Sequence, residues 1–207
     1  MIPAREALAL LREGNRRFVS GASSRDTFES RARRIELASG QAPFAAILGC
    51  SDSRVPVEIV FDQGLGDLFV IRVGGNIVAP SQIGSVEFAA ERFGSRLVVV
   101  LGHTRCGVIE TTVDQLRRPV ENQSRNLRSI VDFVRPSVEG LLATDLEQDR
   151  DALIQQAVRA NIRASVRHLR HGSDIIENLI QNAGLMVVGA EYSLETGEVD
   201  FFDGDTG

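Results

Sequence analysis

Two apolar runs, each closed by a glycine and then by side chains able to bind a metal, constrain this chain more than anything else in it. The first is Phe44-Ala45-Ala46-Ile47-Leu48-Gly49, followed by Cys50-Ser51-Asp52-Ser53-Arg54. The second is Leu97-Val98-Val99-Val100-Leu101-Gly102, followed by His103-Thr104-Arg105-Cys106. A run that is apolar at every position suits a strand buried on both faces, as in a parallel sheet covered by helices. Ligands gather at the carboxyl ends of such strands. The only two cysteines of the chain and one of its three histidines stand at these two ends.

The rest of the sequence supplies the crossovers. Residues 3–19 read as an amphipathic helix, with Ala7, Leu8, Leu10, Leu11 and Phe18 at helical spacing. Residues 27–39 read as a second, Arg- and Glu-rich helix with Thr27 as its N-cap. Both are polar enough to lie on the surface or to form an arm packed on a second subunit. Strands are expected at 44–49, 67–73, 97–101 and 185–192, with an edge strand at 199–202. One or two helical turns are expected at 56–61. Longer helices are expected at 80–93 (Ile83, Val86, Phe88, Ala89 and Ala90 inward), from Cys106 to about Leu116, at 151–171 and at 174–182. Residues 117–150, polar and holding Pro119 and Pro136, read as short helices and loops. In the helix at 151–171, Arg159, Arg163, Arg167 and Arg170 form a stripe that a solvated face explains, and His168 and His171 read as surface residues. Alternation of strand and helix predicts an α/β fold: a mainly parallel sheet flanked by helices, with an N-terminal helical arm and a C-terminal edge strand. One domain over 1–207 is expected, with the arm at 1–40, the metal-bearing core at 41–115 and a helical and C-terminal strand region at 116–207.

Composition narrows the chemistry. Twenty-eight acids against 23 bases leave a mildly negative surface, which argues against nucleic-acid or anionic-membrane partners. Arg5, Glu6, Arg12 and Glu13 interrupt the place where a signal peptide needs an apolar core, and no apolar run approaches a membrane span. A cytoplasmic location is expected, and it keeps thiols free for metal. No lysine occurs in the chain, which excludes Schiff-base catalysis and a P-loop. Gly74, Gly75 and Gly102 lack the G-x-G-x-x-G spacing and suit tight turns and close backbone approach instead.

Two thiols and an imidazole make a donor set that suits Zn²⁺. Asp52 could complete it as a fourth ligand. Alternatively Arg54, two residues on, could grip the Asp52 carboxylate and hold it off the metal, leaving a position for water. Three protein ligands plus water make a catalytic site; four closed ligands make an inert or switched-off one. A Cys/His pair could also serve as a nucleophile and its base.

The pair of motifs Cys50-Ser51-Asp52-Ser53-Arg54 and His103-Thr104-Arg105-Cys106 resembles the β-class carbonic anhydrase family. The likeness extends through Val55-Pro56, Asp67-Leu68-Phe69-Val70-Ile71-Arg72 and Gly102, and covers residues 41–115 well. It implies one Zn²⁺ per chain on Cys50, His103 and Cys106, with Asp52 and Arg54 as the catalytic dyad. It also implies a substrate pocket: Gln41 matches the family's cleft glutamine near the dimer interface and Phe69 an apolar pocket residue; Val55 and, from the neighbouring subunit, Phe88 could complete the apolar wall, with Gly102 a further substrate-binding candidate. An obligate homodimer, or a dimer of dimers, is implied as well.

Two positions depart from the family pattern. Ile47 stands where members with a regulatory bicarbonate pocket carry tryptophan, although Arg72 is retained. Phe88 replaces a tyrosine that helps hold the dyad in many members. The expectation is therefore an open site at neutral pH. The implied reaction is reversible hydration of CO₂ to bicarbonate and a proton by hydroxide on zinc, assisted by the Asp–Arg dyad. Hydrolysis of COS or CS₂ on the same scaffold, or a purely structural zinc, are the alternatives.

Overall fold

The computed structural model describes residues 2–23, 31–118 and 124–204. Its centre is a five-stranded sheet in the order β2-β1-β3-β4-β5. The strands are β1 (Ala45–Gly49), β2 (Leu68–Arg72), β3 (Leu97–His103), β4 (Met186–Tyr192) and β5 (Val199–Asp203). The first four are mutually parallel, and β5 returns antiparallel along the edge of β4. All of β1 and β3 is buried, which is why neither shows the alternation of a half-solvated strand.

Successive residues of these strands feed two separate cores. Ala46, Leu48, Val98 and Val100 face one side, where α4 (Pro80–Arg92), α5 (Gly107–Arg117), α6 (Arg125–Val138), α7 (Arg150–His171) and α8 (Asp174–Asn182) supply the cover. Ala45, Ile47, Val99 and Leu101 face the other side, against α1 (Ala4–Val19) and the single turn of α3 (Val57–Val60). The pleat of period two thus splits one apolar run between two layers.

Several expectations need correction. α1 packs on the sheet of its own chain: Ala7 and Leu11 are fully buried in the second core. Asn15 staples it there, donating from Nδ2 to the carbonyls of Val60 (3.1 Å) and Gly197 (2.9 Å) and accepting from the Val199 N–H (3.0 Å). The short α2 (Arg31–Leu37) buries nothing, and its Ile35 is 66% exposed; the expected cap at Thr27 lies outside the described residues. α6 is a regular helix where only short pieces were expected, because Val131, Val134 and Val138 line up on one face and Pro136 falls in its last turn. Phe88 points outward from α4 and is 51% exposed.

The arginine stripe of α7 is only partly solvated. Arg159 is ion-paired to Glu191 (3.0 Å) and Asp200 (2.9 Å) and lies 3.8 Å over the Phe202 ring. Arg163 sits 5.0 Å from the same ring, and Arg170 donates to the Val187 carbonyl. Arg159 and Arg163 thus fasten the edge strand β5 to α7, while Arg170 ties α7 to β4. Arg167, His168 and His171 are exposed, as expected of His168 and His171.

Candidate metal centre

β1 and β3 are parallel neighbours at the middle of the sheet, with Gly49 in register with Leu101. Cys50 therefore leaves the sheet beside Gly102, one residue before His103 ends β3. The chain then turns back through Arg105, whose φ of 54° is a left-handed value uncommon outside glycine. That turn delivers Cys106 to the N-cap position of α5. The donor atoms of Cys50, His103 and Cys106 lie within 4.8 Å of one another, all three residues are buried, and the two sulfurs are 4.0 Å apart.

The cluster fits a soft divalent cation. His103 Nδ1 lies 2.9 Å from the Thr104 carbonyl, a contact that places the ring proton on Nδ1 and turns the Nε2 lone pair toward the thiols. Nε2 itself is buried with no hydrogen-bond partner among the described residues. A buried nitrogen left unpaired costs about 1–3 kcal/mol, so it needs an electrophile. The thiols tell the same story. Cys50 is drawn down to about 4, chiefly by the hydrogen bond with Cys106, with His103 and the backbone of Asp52 and Gly75 adding to it. Cys106 is pushed up by sharing that proton with Cys50 and by burial. One proton between two sulfurs is the arrangement a metal ion displaces on binding. Burial disfavours a charged His103, but the Cys50 thiolate beside it outweighs burial and raises it.

Asp52 stands beside the donor set without joining it. Its Oδ2 is 3.8 Å from His103 Nε2. Arg54 grips both oxygens, Nε to Oδ1 at 2.9 Å and Nη2 to Oδ2 at 2.7 Å, and its backbone N–H adds a bond to Oδ1 at 2.9 Å. These contacts hold the Asp52 carboxyl well below the usual carboxylate range. Arg54 is anchored in turn by the Arg105 carbonyl at 3.2 Å. Arg72 secures the segment from below, donating to the carbonyls of Cys50 (2.9 Å) and Asp52 (2.5 Å). Both bonds go to the loop that carries the dyad.

The remaining sequence candidates do not gather at this point. Val55 is buried in the second core, one turn beyond Asp52, with its N–H on the Asp52 carbonyl (3.1 Å). Phe69 lies on β2 with its ring 6.1 Å from Phe88 and 5.8 Å from Phe93, forming an aromatic cluster around the exposed Phe88. Gln41 precedes β1 at the amino end of the sheet, opposite Cys50, and borders a surface depression with Arg34, Leu37 and Leu65. Gly102 is tightly packed: a Cβ there would come within 2.5 Å of Ile162 Cδ1. A cleft of about 1010 Å³ opens beside Thr104 and Arg105 rather than over the cluster, and its walls include Glu110, Glu191 and Asp200.

A backbone group also escaped the sequence reading. The Gly75 N–H points at Cys50 Sγ from 3.4 Å. The only signal for it was the pair Gly74-Gly75 after a strand, which marks a turn and names no ligand.

Comparison with known proteins agrees with this geometry. A family model for carbonic anhydrase matches residues 45–199, a span that includes both motifs. Carbonic anhydrase 2 of Mycobacterium tuberculosis is 36% identical over 189 residues, covering 90% of this chain and 87% of the relative. A carbonic anhydrase of Mycolicibacterium smegmatis is 35% identical over 190 residues, covering 92% and 89%. The crystal structure of the β-carbonic anhydrase CafA of Aspergillus fumigatus superposes with a TM-score of 0.75 at 25% identity, over 98% of this chain and 93% of that one. With a parallel sheet that presents Cys50, His103 and Cys106 together and Asp52 gripped by Arg54 beside them, the chain belongs to the β-class carbonic anhydrase family of enzymes.

Proposed function

We propose that this protein catalyses the reversible hydration of CO₂ to bicarbonate and a proton, with one zinc ion per chain held by Cys50, His103 and Cys106. The observation that carries the reading is the placement of Asp52, ionised and doubly held by Arg54, next to the donor set but outside it. When bound, zinc supplies the Lewis acidity that makes a water molecule nucleophilic near neutral pH. With zinc bound, Asp52 would accept a hydrogen bond from that water at a carboxylate oxygen, orient it and relay its proton. Arg54 keeps Asp52 from swinging in as a fourth ligand, so the site is open at neutral pH. Ile47, fully buried in the second core, supplies no polar group for an anion pocket.

CO₂ carries no charge and needs only a small apolar wall beside the donor set. The exposed cluster of Phe69, Phe88 and Phe93 suits the face of a homodimer, and Gln41 serves the substrate only when two copies meet. The cytoplasm is the fitting compartment, since it keeps both thiols reduced; among the described residues no helix is long and apolar enough to cross a membrane. Phe88→Glu places a charge in the proposed interface. Sedimentation should show the variant at lower mass than the parent, and equal masses would remove this face from the interface.

The deciding experiment is stopped-flow CO₂ hydration by zinc-replete parent and Asp52→Asn from about pH 6.5 to 9. The parent should turn over rapidly at about pH 7. The variant should keep its zinc and lose about 10²- to 10⁴-fold in turnover, the range for a lost general base. Parent activity that begins only above about pH 8 would mean that Asp52 closes the site at neutral pH. Zinc-bound protein inactive at every pH would overturn the reaction itself.

A further inference from the structure

The inner face of α7 is apolar at Leu153, Ala157, Ile162 and Val166, yet it carries two buried polar side chains one turn apart, Asn161 and Ser165. Burying an amide and a hydroxyl is unfavourable unless each finds a partner. Both find theirs in one place. Asn161 Nδ2 donates to the Gly75 carbonyl at 2.8 Å, and Ser165 Oγ donates to the Asn76 carbonyl at 3.0 Å.

That place is an unusual piece of backbone. Gly75 and Asn76 are successive left-handed residues, with φ of 69° and 44°. Only glycine and, less readily, asparagine visit that region cheaply. A side chain at Gly75 would also meet Val108 Cγ1 at 2.8 Å. The outcome of the kink is the direction of one amide: the Gly75 N–H, aimed at Cys50 Sγ.

We propose that Asn161 and Ser165 are positioning residues of the metal centre. By holding the carbonyls of Gly75 and Asn76 they fix the Gly75 N–H on the Cys50 sulfur. A thiolate that accepts an N–H donates less charge to a metal, so α7, which supplies no ligand, sets the electronic character of one. Partners of this outer kind commonly govern affinity as much as orientation. The inference rests on the reading of Cys50 as a metal ligand.

The test replaces zinc by cobalt(II), whose sulfur-to-cobalt charge-transfer absorption reports how strongly the thiolates donate. Asn161→Leu keeps the size of the side chain and removes the donor. Its band should move to lower energy than the parent's, and its zinc dissociation constant, from chelator competition, should rise about tenfold, the low end for loss of an outer partner. Ser165→Ala should shift the band the same way by a smaller amount. Val166→Ala, on the same helix and packed toward Gly189 of β4, should lose stability and keep the parent band. Unmoved bands in Asn161→Leu and Ser165→Ala overturn the proposal, as does an equal shift in Val166→Ala. If Asn161→Leu does not fold, the Ser165→Ala band decides alone. A parent that binds cobalt with no sulfur band would instead overturn Cys50 as a ligand, a failure distinct from the first.

Discussion

At the scale of single residues, two buried acidic groups close to β3 are handled in opposite ways. The hydrogen bonds around Cys50, that with Cys106 first, lower its thiol, whereas Glu191 is buried on β4 with one oxygen paired to Arg159 and the other without a partner among the described residues. Burial dominates there and raises Glu191 above its ordinary 4.5, with the Arg159 ion pair opposing. An acid raised in the folded state contributes stability that is fully present below its unfolded pKa and is lost as pH rises through the native one. Glu191→Gln removes that loss. Parent and variant should therefore melt together at about pH 4 and below, and the variant should melt higher at pH 7. Calorimetry at the two pH values checks this. A parent that melts higher at neutral pH would mean that the Arg159 pair outweighs the desolvation of Glu191.

At the scale of elements, the contact between α7 and the sheet depends on glycine. Gly102 and Gly189 let Ile162 lie directly on β3 and β4. Gly102→Ala should cost about 1–3 kcal/mol by overpacking against Ile162. The loss should shrink when Ile162→Ala is already present, so the two changes should be clearly non-additive in urea denaturation. Strict additivity would show that α7 does not bear on Gly102. The strands were legible in the sequence because a buried parallel strand announces itself as an unbroken apolar run, as 44–49 and 97–101 do. The candidate donors were legible because the chain's two Cys and one of its three His sit at the ends of those runs. What stayed hidden was polar structure that serves the interior: Asn161 and Ser165 on an otherwise apolar face, and Arg159 clasping β5 instead of facing water. Helical spacing reports which side of a helix is apolar, and it is silent on a polar side chain that finds its partner in a distant turn. Phe88 misled for the complementary reason: an aromatic at helical spacing looks like core until the neighbouring Phe69 and Phe93 prove to lie at an edge.

At the scale of the whole molecule, the proposed metal would tie together positions 56 residues apart in the chain, Cys50 and Cys106. A cross-link closing a loop of that length restricts the unfolded chain by about 4 kcal/mol on loop-closure grounds. Stripping the metal with a chelator should lower the urea midpoint, and added zinc should restore it; equal midpoints would mean that the centre bears no fold energy. The molecule also carries its own reporter of such events. It has no tryptophan and a single tyrosine, and that tyrosine, buried Tyr192, is the register partner of His103 on β4. Its carbonyl receives the Thr104 N–H, and its ring lies 6.5 Å from Phe18 of α1. Excited beyond the absorption of its phenylalanines, this protein therefore emits from one place, between the turn that carries Cys106 and the N-terminal helix. Loss of the metal, undocking of α1 and unfolding of the central sheet can each be followed by the light of one native fluorophore, with no label attached.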